Sequence, residues 1–186
     1  ERFSYGISTD IVGLLVEPVS GLPIERFFEE RITGPLGMRD TRFEPPSAPG
    51  RTAGLHTRQG GRLIDSPNGV RAEQPRGGGG LFSTARDYAA LIRMLLNDGV
   101  ADDGTRLLSP ESVRLMTTNR IGSLWAPIQR SVFPERTLDF AFLDGTQNFG
   151  FNLMVETRDR PGGRSAGSWA WAGIFNTYFW GDPRAG

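Results

Sequence analysis

Tyr5 stands three residues ahead of Ser8, where an apolar-periodic segment begins. A phenol is a poor base at neutral pH, because its ordinary pKa is near ~10. A helix N-terminus and a nearby cation lower such a value and let the oxygen accept a proton. Tyr5 is therefore a candidate proton carrier. Aromatic packing ahead of a helix is the alternative for the same residue.

Ser165 offers a different chemistry. It lies in GRSAG, Gly163 to Gly167, which matches the G-x-S-x-G nucleophile elbow. That device needs a strand before the serine, a helix after it, and an acid and a histidine further along. Here a Pro-Gly-Gly turn precedes the motif and strand-forming residues follow it. Asp182 is the one acid after Ser165, and the single histidine, His56, comes before it. Ser165 is therefore read as a turn residue. His56, in the polar stretch GLHTRQG, is read as a surface or packing residue. Asp102 and Asp103 precede Gly104 and mark a turn; nothing sets them opposite another acid, as a glycosidase pair requires. No P-loop occurs, and no G-x-G-x-x-G follows a strand.

Composition narrows the choice. The chain has 186 residues, 38% hydrophobic and 23% charged, which suits one domain with a core. Its net charge is zero and its basic residues are scattered, which argues against binding nucleic acid or an anionic membrane through charge. All 21 basic residues are arginine. A step that needs lysine cannot be completed by these residues alone. With no cysteine and one histidine, disulfides, thiolate nucleophiles and multi-histidine or cysteine-ligated metals are excluded. No cofactor or metal is implied. No apolar run approaches the ~18–20 residues of a membrane span.

Ser8 to Val19 reads as a helix with Ser8 as cap, Asp10 in the first turn, and Pro18 and Gly21 as breakers. A second helix starts at Pro23 and presents Ile24, Phe27, Phe28 and Ile32. Leu36, Met38 and Phe43 are buried anchors of a turn-rich segment. Residues 44 to 80 read as irregular, with a short strand around Leu63 and Ile64. The run Gly77 to Gly80 has the look of low complexity, yet it leads directly into a helix. In that helix Thr84 and Asp87 fit a capping box, and Tyr88, Leu91, Ile92 and Leu95 form the stripe. Ser109-Pro110 opens another helix. Strand patterns follow at Asn148 to Arg158 and at Ser168 to Pro183, the latter ending in a Gly-Asp-Pro turn. Helices first and antiparallel strands last make an α+β order.

Five blocks resemble the serine β-lactamase and penicillin-binding-protein superfamily, in order and from Phe3 to Pro183. They are FSYGISTDIVG, SGLPIERFFEERITGPLGMRDTRF, RGGGGLFSTARDYAALIRMLLNDG, GTRLLSPESVRLMTTN and GSWAWAGIFNTYFWGDP. The β-lactamase-like carboxylesterases of family VIII resemble them most. The resemblance implies a partial β-lactamase/transpeptidase-like fold forming an incomplete single catalytic domain over residues 1–186. A mainly helical lobe would cover about 1–75, and a return to the α+β lobe about 76–186.

In that family a serine of a Ser-x-x-Lys motif attacks the carbonyl, and a tyrosine shares the proton handling. The resemblance places that tyrosine at Tyr5 and the third family motif at Trp171, Ala172 and Gly173, with an oxyanion donor in the N–H of Ile174. Such a donor contributes ~3 kcal/mol to the transition state. β-Lactamases have Lys-Thr-Gly at the third motif and Tyr-x-Asn at the tyrosine. Trp171 and Ile7 stand at the lysine and asparagine positions here. Both changes favour neutral esters over β-lactams. Segment 120–145, with Trp125, Phe133 and Phe140, is a candidate wall for the acyl group. The expected function is therefore a serine hydrolase acting on a small-molecule ester, most closely a short-chain carboxylesterase. The alternatives are a β-lactamase or D,D-peptidase, and a non-catalytic binding homologue.

With no lysine, the 186 residues alone are expected to show no ester turnover and to be poorly soluble through open strand edges. Assay of the purified segment with a butyrate ester checks this. Robust turnover would mean that the nucleophile lies within these residues.

Overall fold

The computed structural model describes residues 1–48, 50–66, 74–134, 138–140 and 143–185. Three short helices come first: α1 (Ser8–Leu14), α2 (Val16–Ser20) and α3 (Ile24–Phe28). A π-helical turn, Glu29–Thr33, extends α3. The helix expected from Ser8 to Val19 is thus broken at Leu15. The break puts Pro18 in the first turn of α2, where its missing N–H leaves no bond unmade. Ser8 is not the cap either: Ile7 holds the N-cap position of α1, without a side-chain hydrogen bond. Gly21, with φ of 74°, closes α2 in the left-handed region, as a glycine stop should.

A two-stranded antiparallel sheet follows, β1 (His56–Gln59) with β2 (Arg62–Asp65). The expected short strand at Leu63 and Ile64 is β2. Helix α4 (Ala85–Leu96) is capped by Thr84, whose Oγ1 accepts the Asp87 N–H at 3.2 Å. The reciprocal half of the capping box is not made. The Asp87 carboxylate instead accepts from the Asp40 N–H at 2.8 Å and the Thr41 hydroxyl at 3.0 Å. It is buried, and it ties the turn after Met38 to the start of α4. Helix α5 (Pro110–Thr117) is capped as expected, with Ser109 Oγ accepting from the Ser112 N–H at 3.0 Å.

The second sheet has four antiparallel strands in sequential order: β3 (Asn148–Phe149), β4 (Met154–Val155), β5 (Trp169–Gly173) and β6 (Thr177–Gly181). The Asn148 to Arg158 pattern is not one strand. It folds back on itself, with Asn152 at φ of 65° and the Gly150 N–H bonded to the Leu153 carbonyl. The Ser168 to Pro183 block likewise contains a hairpin. Its turn sits at Ile174–Asn176, with Asn176 at φ of 62°. In both places asparagine takes the left-handed conformation that it tolerates better than most residues.

One core cluster packs α4 and α5 on the sheet through Met94, Leu95, Val113, Leu153 and Trp169. The other gathers Ala126, Leu143, Phe149, Met154 and Ala170. Tyr88 of α4 packs on Phe179 of β6 with ring centroids 5.0 Å apart, and burial raises its phenol above the ordinary value. Among the described residues no helix is long and apolar enough to cross a membrane.

Glu156 is buried beyond β4 and is held by two arginines. Its carboxylate accepts from Arg160 at 2.9 Å and from Arg164 at 2.8 Å. Arg160 also reaches Asp144 at 2.5 Å. A buried carboxylate is tolerable only with such partners. Residues 156–164 are pinned to the sheet by this belt.

Trp169 and Gly181 face each other across β5 and β6. A Cβ on Gly181 would lie 2.3 Å from the Trp169 ring, so only glycine fits. Gly181→Ala is expected to destabilise the fold by about 1–3 kcal/mol through overpacking, seen as a lower urea midpoint. An unchanged midpoint would mean that the indole has room to move.

Candidate functional site

The N-terminal segment, residues 1–7, leads into α1 without helix or strand structure of its own. Phe3 packs on Phe149 of β3 with centroids 4.9 Å apart. Two residues on, Tyr5 packs on Trp171 of β5 at 4.8 Å and an interplanar angle of 52°. Trp171 also meets Phe140 at 5.1 Å and Phe149 edge-on at 5.0 Å. The result is an aromatic nest with Trp171 at its centre. Tilted and edge-to-face pairs of this kind are favoured over flat stacks and add about 0.5–1.5 kcal/mol each beyond burial.

Tyr5 is 46% exposed. It therefore has one face on Trp171 and another side open. The open side lines a cleft of about 570 Å³, whose apolar wall includes Leu124, Trp125, Pro127, Ile128 and Leu143. The segment carrying Trp125 and Ile128 is held to the sheet at Ala126, whose N–H bonds the Gln147 carbonyl at 2.9 Å. Gln147 is itself buried and accepts the Asp144 N–H at 3.0 Å.

The structure therefore brings together two residues far apart in sequence, Tyr5 and Trp171. Ala172 and Gly173 continue β5 opposite Tyr178 and Thr177. Ile174 follows at the hairpin turn and is 92% exposed. Ile7 is 72% exposed at the start of α1. Neither isoleucine joins the aromatic nest. Within the 120–145 segment, Trp125 lines the cleft and Phe140 packs on Trp171, whereas Phe133 is not part of the cleft wall.

The other candidates fall elsewhere. His56 is on β1 and pairs with Asp65 of β2, Nε2 to Oδ1 at 3.1 Å. Ser165 donates its hydroxyl to Asp182, and its N–H bonds the second oxygen of the same carboxylate at 2.9 Å. These bonds hold the Asp182 carboxyl below the usual carboxylate range. An ionised acceptor on the serine oxygen itself, with no imidazole between, makes a turn clasp and not a nucleophile pair. Asp102 is engaged by Arg93, with Oδ2 2.6 Å from Nη2. Among the described residues, no three His, Cys, Asp or Glu side chains gather as metal ligands.

Phe3 and Phe149 belong to the site, and no chemical motif singles them out. The available signal was nearness in sequence, Phe3 standing two residues before Tyr5.

Helices packed with antiparallel sheets match the β-lactamase/transpeptidase-like fold. Solved structures agree. Simvastatin synthase from Aspergillus terreus superposes with a TM-score of 0.72 at 27% identity, over 98% of this chain and 46% of that one. The chain belongs to the Beta-lactamase family, whose model matches residues 1–186. An uncharacterized protein of Mycobacterium tuberculosis is 37% identical over 100% of this chain and 47% of its own length. The lovastatin esterase of Penicillium rubens is 29% identical over 91% of this chain and 44% of its own length. Other relatives are named as acyltransferases and as putative D-alanyl-D-alanine carboxypeptidases. The chain thus spans about half the length of the curated relatives it matches most fully.

In the full-length protein, Ser165→Ala is expected to leave kcat/KM for an ester within about twofold and to lower Tm modestly. A loss of turnover with the fold intact would return Ser165 to the catalytic candidates.

Proposed function

We propose that this chain is the Tyr- and Trp-Ala-Gly-bearing part of a serine hydrolase that cleaves short-chain carboxylic esters through an acyl-enzyme. The observation that carries the reading is the Tyr5–Trp171 contact at 4.8 Å, at the edge of an apolar cleft. The nucleophilic serine and its lysine would come from a Ser-x-x-Lys segment outside these residues. The absence of lysine from the chain and its half-length match to relatives support that assignment.

In this mechanism the serine hydroxyl adds to the ester carbonyl. Its proton passes to the Tyr5 oxygen, directly or through the lysine, and then to the departing alkoxide. Water repeats the sequence in reverse on the acyl-enzyme. The Ile174 N–H would donate to the oxyanion beside the N–H of the nucleophile. Trp171 supplies no cation for a β-lactam carboxylate, and Ile7 supplies no amide contact. The cleft beside Tyr5 would take the apolar part of the ester. The relative named lovastatin esterase supports an ester substrate.

A second reading, a β-lactamase or D,D-peptidase, is favoured by the 34% identity to a putative D-alanyl-D-alanine carboxypeptidase of Escherichia coli over 59% of this chain. A third, a non-catalytic homologue, predicts no covalent labelling of the full-length protein by a fluorophosphonate.

Tyr5→Phe in the full-length protein is expected to cut kcat for a butyrate ester by about 100-fold or more, with labelling by fluorophosphonate slowed. Normal hydrolysis by that variant would overturn the esterase reading. Turnover of a chromogenic cephalosporin at rates matching the ester would favour the second.

A further inference from the structure

Tyr5 needs a fixed approach as well as a stacking partner. The residues that follow it form α1, and α1 has no buried residue. Ile11, Val12 and Leu14 are all exposed. Among the described residues, apolar burial therefore does not hold this helix in place.

Polar and backbone contacts do. The Gly78 N–H donates to Asp10 Oδ1 at 2.8 Å, across 68 positions of sequence. The two backbones meet at the same place. A Cβ on Gly77 would lie 2.2 Å from the Thr9 carbonyl oxygen, and one on Gly13 would lie 2.5 Å from the Gly77 nitrogen. A Cβ on Gly78 would press on Asp10 Oδ1 at 2.7 Å. Thr9 adds a longer hydroxyl contact to Asn152 Oδ1 at 3.3 Å.

The glycine run is itself anchored. Arg76 and Gly79 are bridged, and Phe82 exchanges backbone bonds with Arg42 at 2.8 and 3.0 Å. Two residues further on, Thr84 caps α4, whose Met94 and Leu95 are in the core. A chain of contacts thus runs from the core through α4 and the glycine run to Asp10, and α1 follows Tyr5 after two intervening residues.

We propose that Asp10 is a positioning residue for Tyr5: it clamps α1 to the Gly77–Gly79 run and so sets where the phenol lies in the site. The inference rests on the proposed role of Tyr5 in proton transfer. The Trp171 stack sets the tilt of the ring, and the clamp sets the position of the chain that carries it. The clamp needs a hydrogen-bond acceptor at residue 10 and no side chain at 13, 77 or 78. It does not need the negative charge. That separates it from a helix-dipole role for Asp10, in which the charge is what counts.

The test uses the full-length protein with a butyrate ester. Asp10→Ala is expected to lower kcat about tenfold with KM within about twofold, and to shift the pH profile of kcat. Asp10→Asn keeps an acceptor oxygen and is expected to restore most of the turnover. Gly77→Ala, which cannot keep the close approach, should match Asp10→Ala. Tyr5→Phe is measured beside them. If Tyr5→Phe is inactive and folded Asp10→Ala retains the parent kcat and pH profile, the clamp is overturned and the Tyr5 role stands. If Asp10→Asn loses as much as Asp10→Ala, charge and not the clamp is responsible, and the inference fails. If Tyr5→Phe turns over normally, the Tyr5 role fails and the inference with it.

Discussion

Trp171 is the side chain on which the remainder of the site depends. It packs against both hydrophobic clusters, the α4–α5 cluster around Trp169 and the β3–β5 cluster around Phe149. It also carries the Tyr5 ring. One indole thus couples the two parts of the core to the N-terminal segment. Both clusters and the Tyr5 ring therefore meet at this one side chain. Trp169, two positions earlier on the same strand, is almost wholly buried and requires Gly181 opposite it. The strand that presents Trp171 is therefore held in register by the tight packing of its neighbour.

Polar contacts then set what packing leaves free. Asp87 spans from the start of α4 to the turn at Asp40 and Thr41. Glu156 with Arg160 and Arg164 fixes the excursion between β4 and β5. Asp182 clasps Ser165, and Asp10 clasps Gly78. Asp87, Asp182 and Asp10 reach loops 47, 17 and 68 positions away, whereas Glu156 acts within its own loop. Loops contribute little apolar area, so directional bonds are the available means of placing them.

The Beta-lactamase family accommodates esterases, acyltransferases and peptidases among the relatives of this chain. Which acceptor is used depends on the walls around the acyl group. Here one wall beside Tyr5 is apolar and aromatic, formed by Leu124, Trp125 and Ile128. The same cleft is also lined by Glu1, Arg2, Ser123 and Gln129, so apolar and polar groups both face it.

Local signals in the sequence determined a good deal. Ser109-Pro110 and Thr84 mark helix starts that are made as read, and of the three expected anchors Met38 and Phe43 are buried while Leu36 is only partly so. The five ordered blocks carry the family. The helix break at Leu15 was hidden, because Pro18 can end one helix or sit in the first turn of the next, and the sequence alone does not choose. The hairpins at Asn152 and Asn176 were hidden too, since asparagine tolerates both ordinary and left-handed backbone and its presence alone does not choose between them. The contacts that assemble the site were beyond reach. Tyr5 against Trp171 joins positions 166 residues apart, and Asp10 to Gly78 joins positions 68 apart. The glycine run looked like low complexity because its role is to have no side chains where another backbone passes. Residue types, caps and periodicity are local properties, so the chain alone fixes them. Close approach between distant backbones is a property of the folded state, so only the tertiary structure decides it.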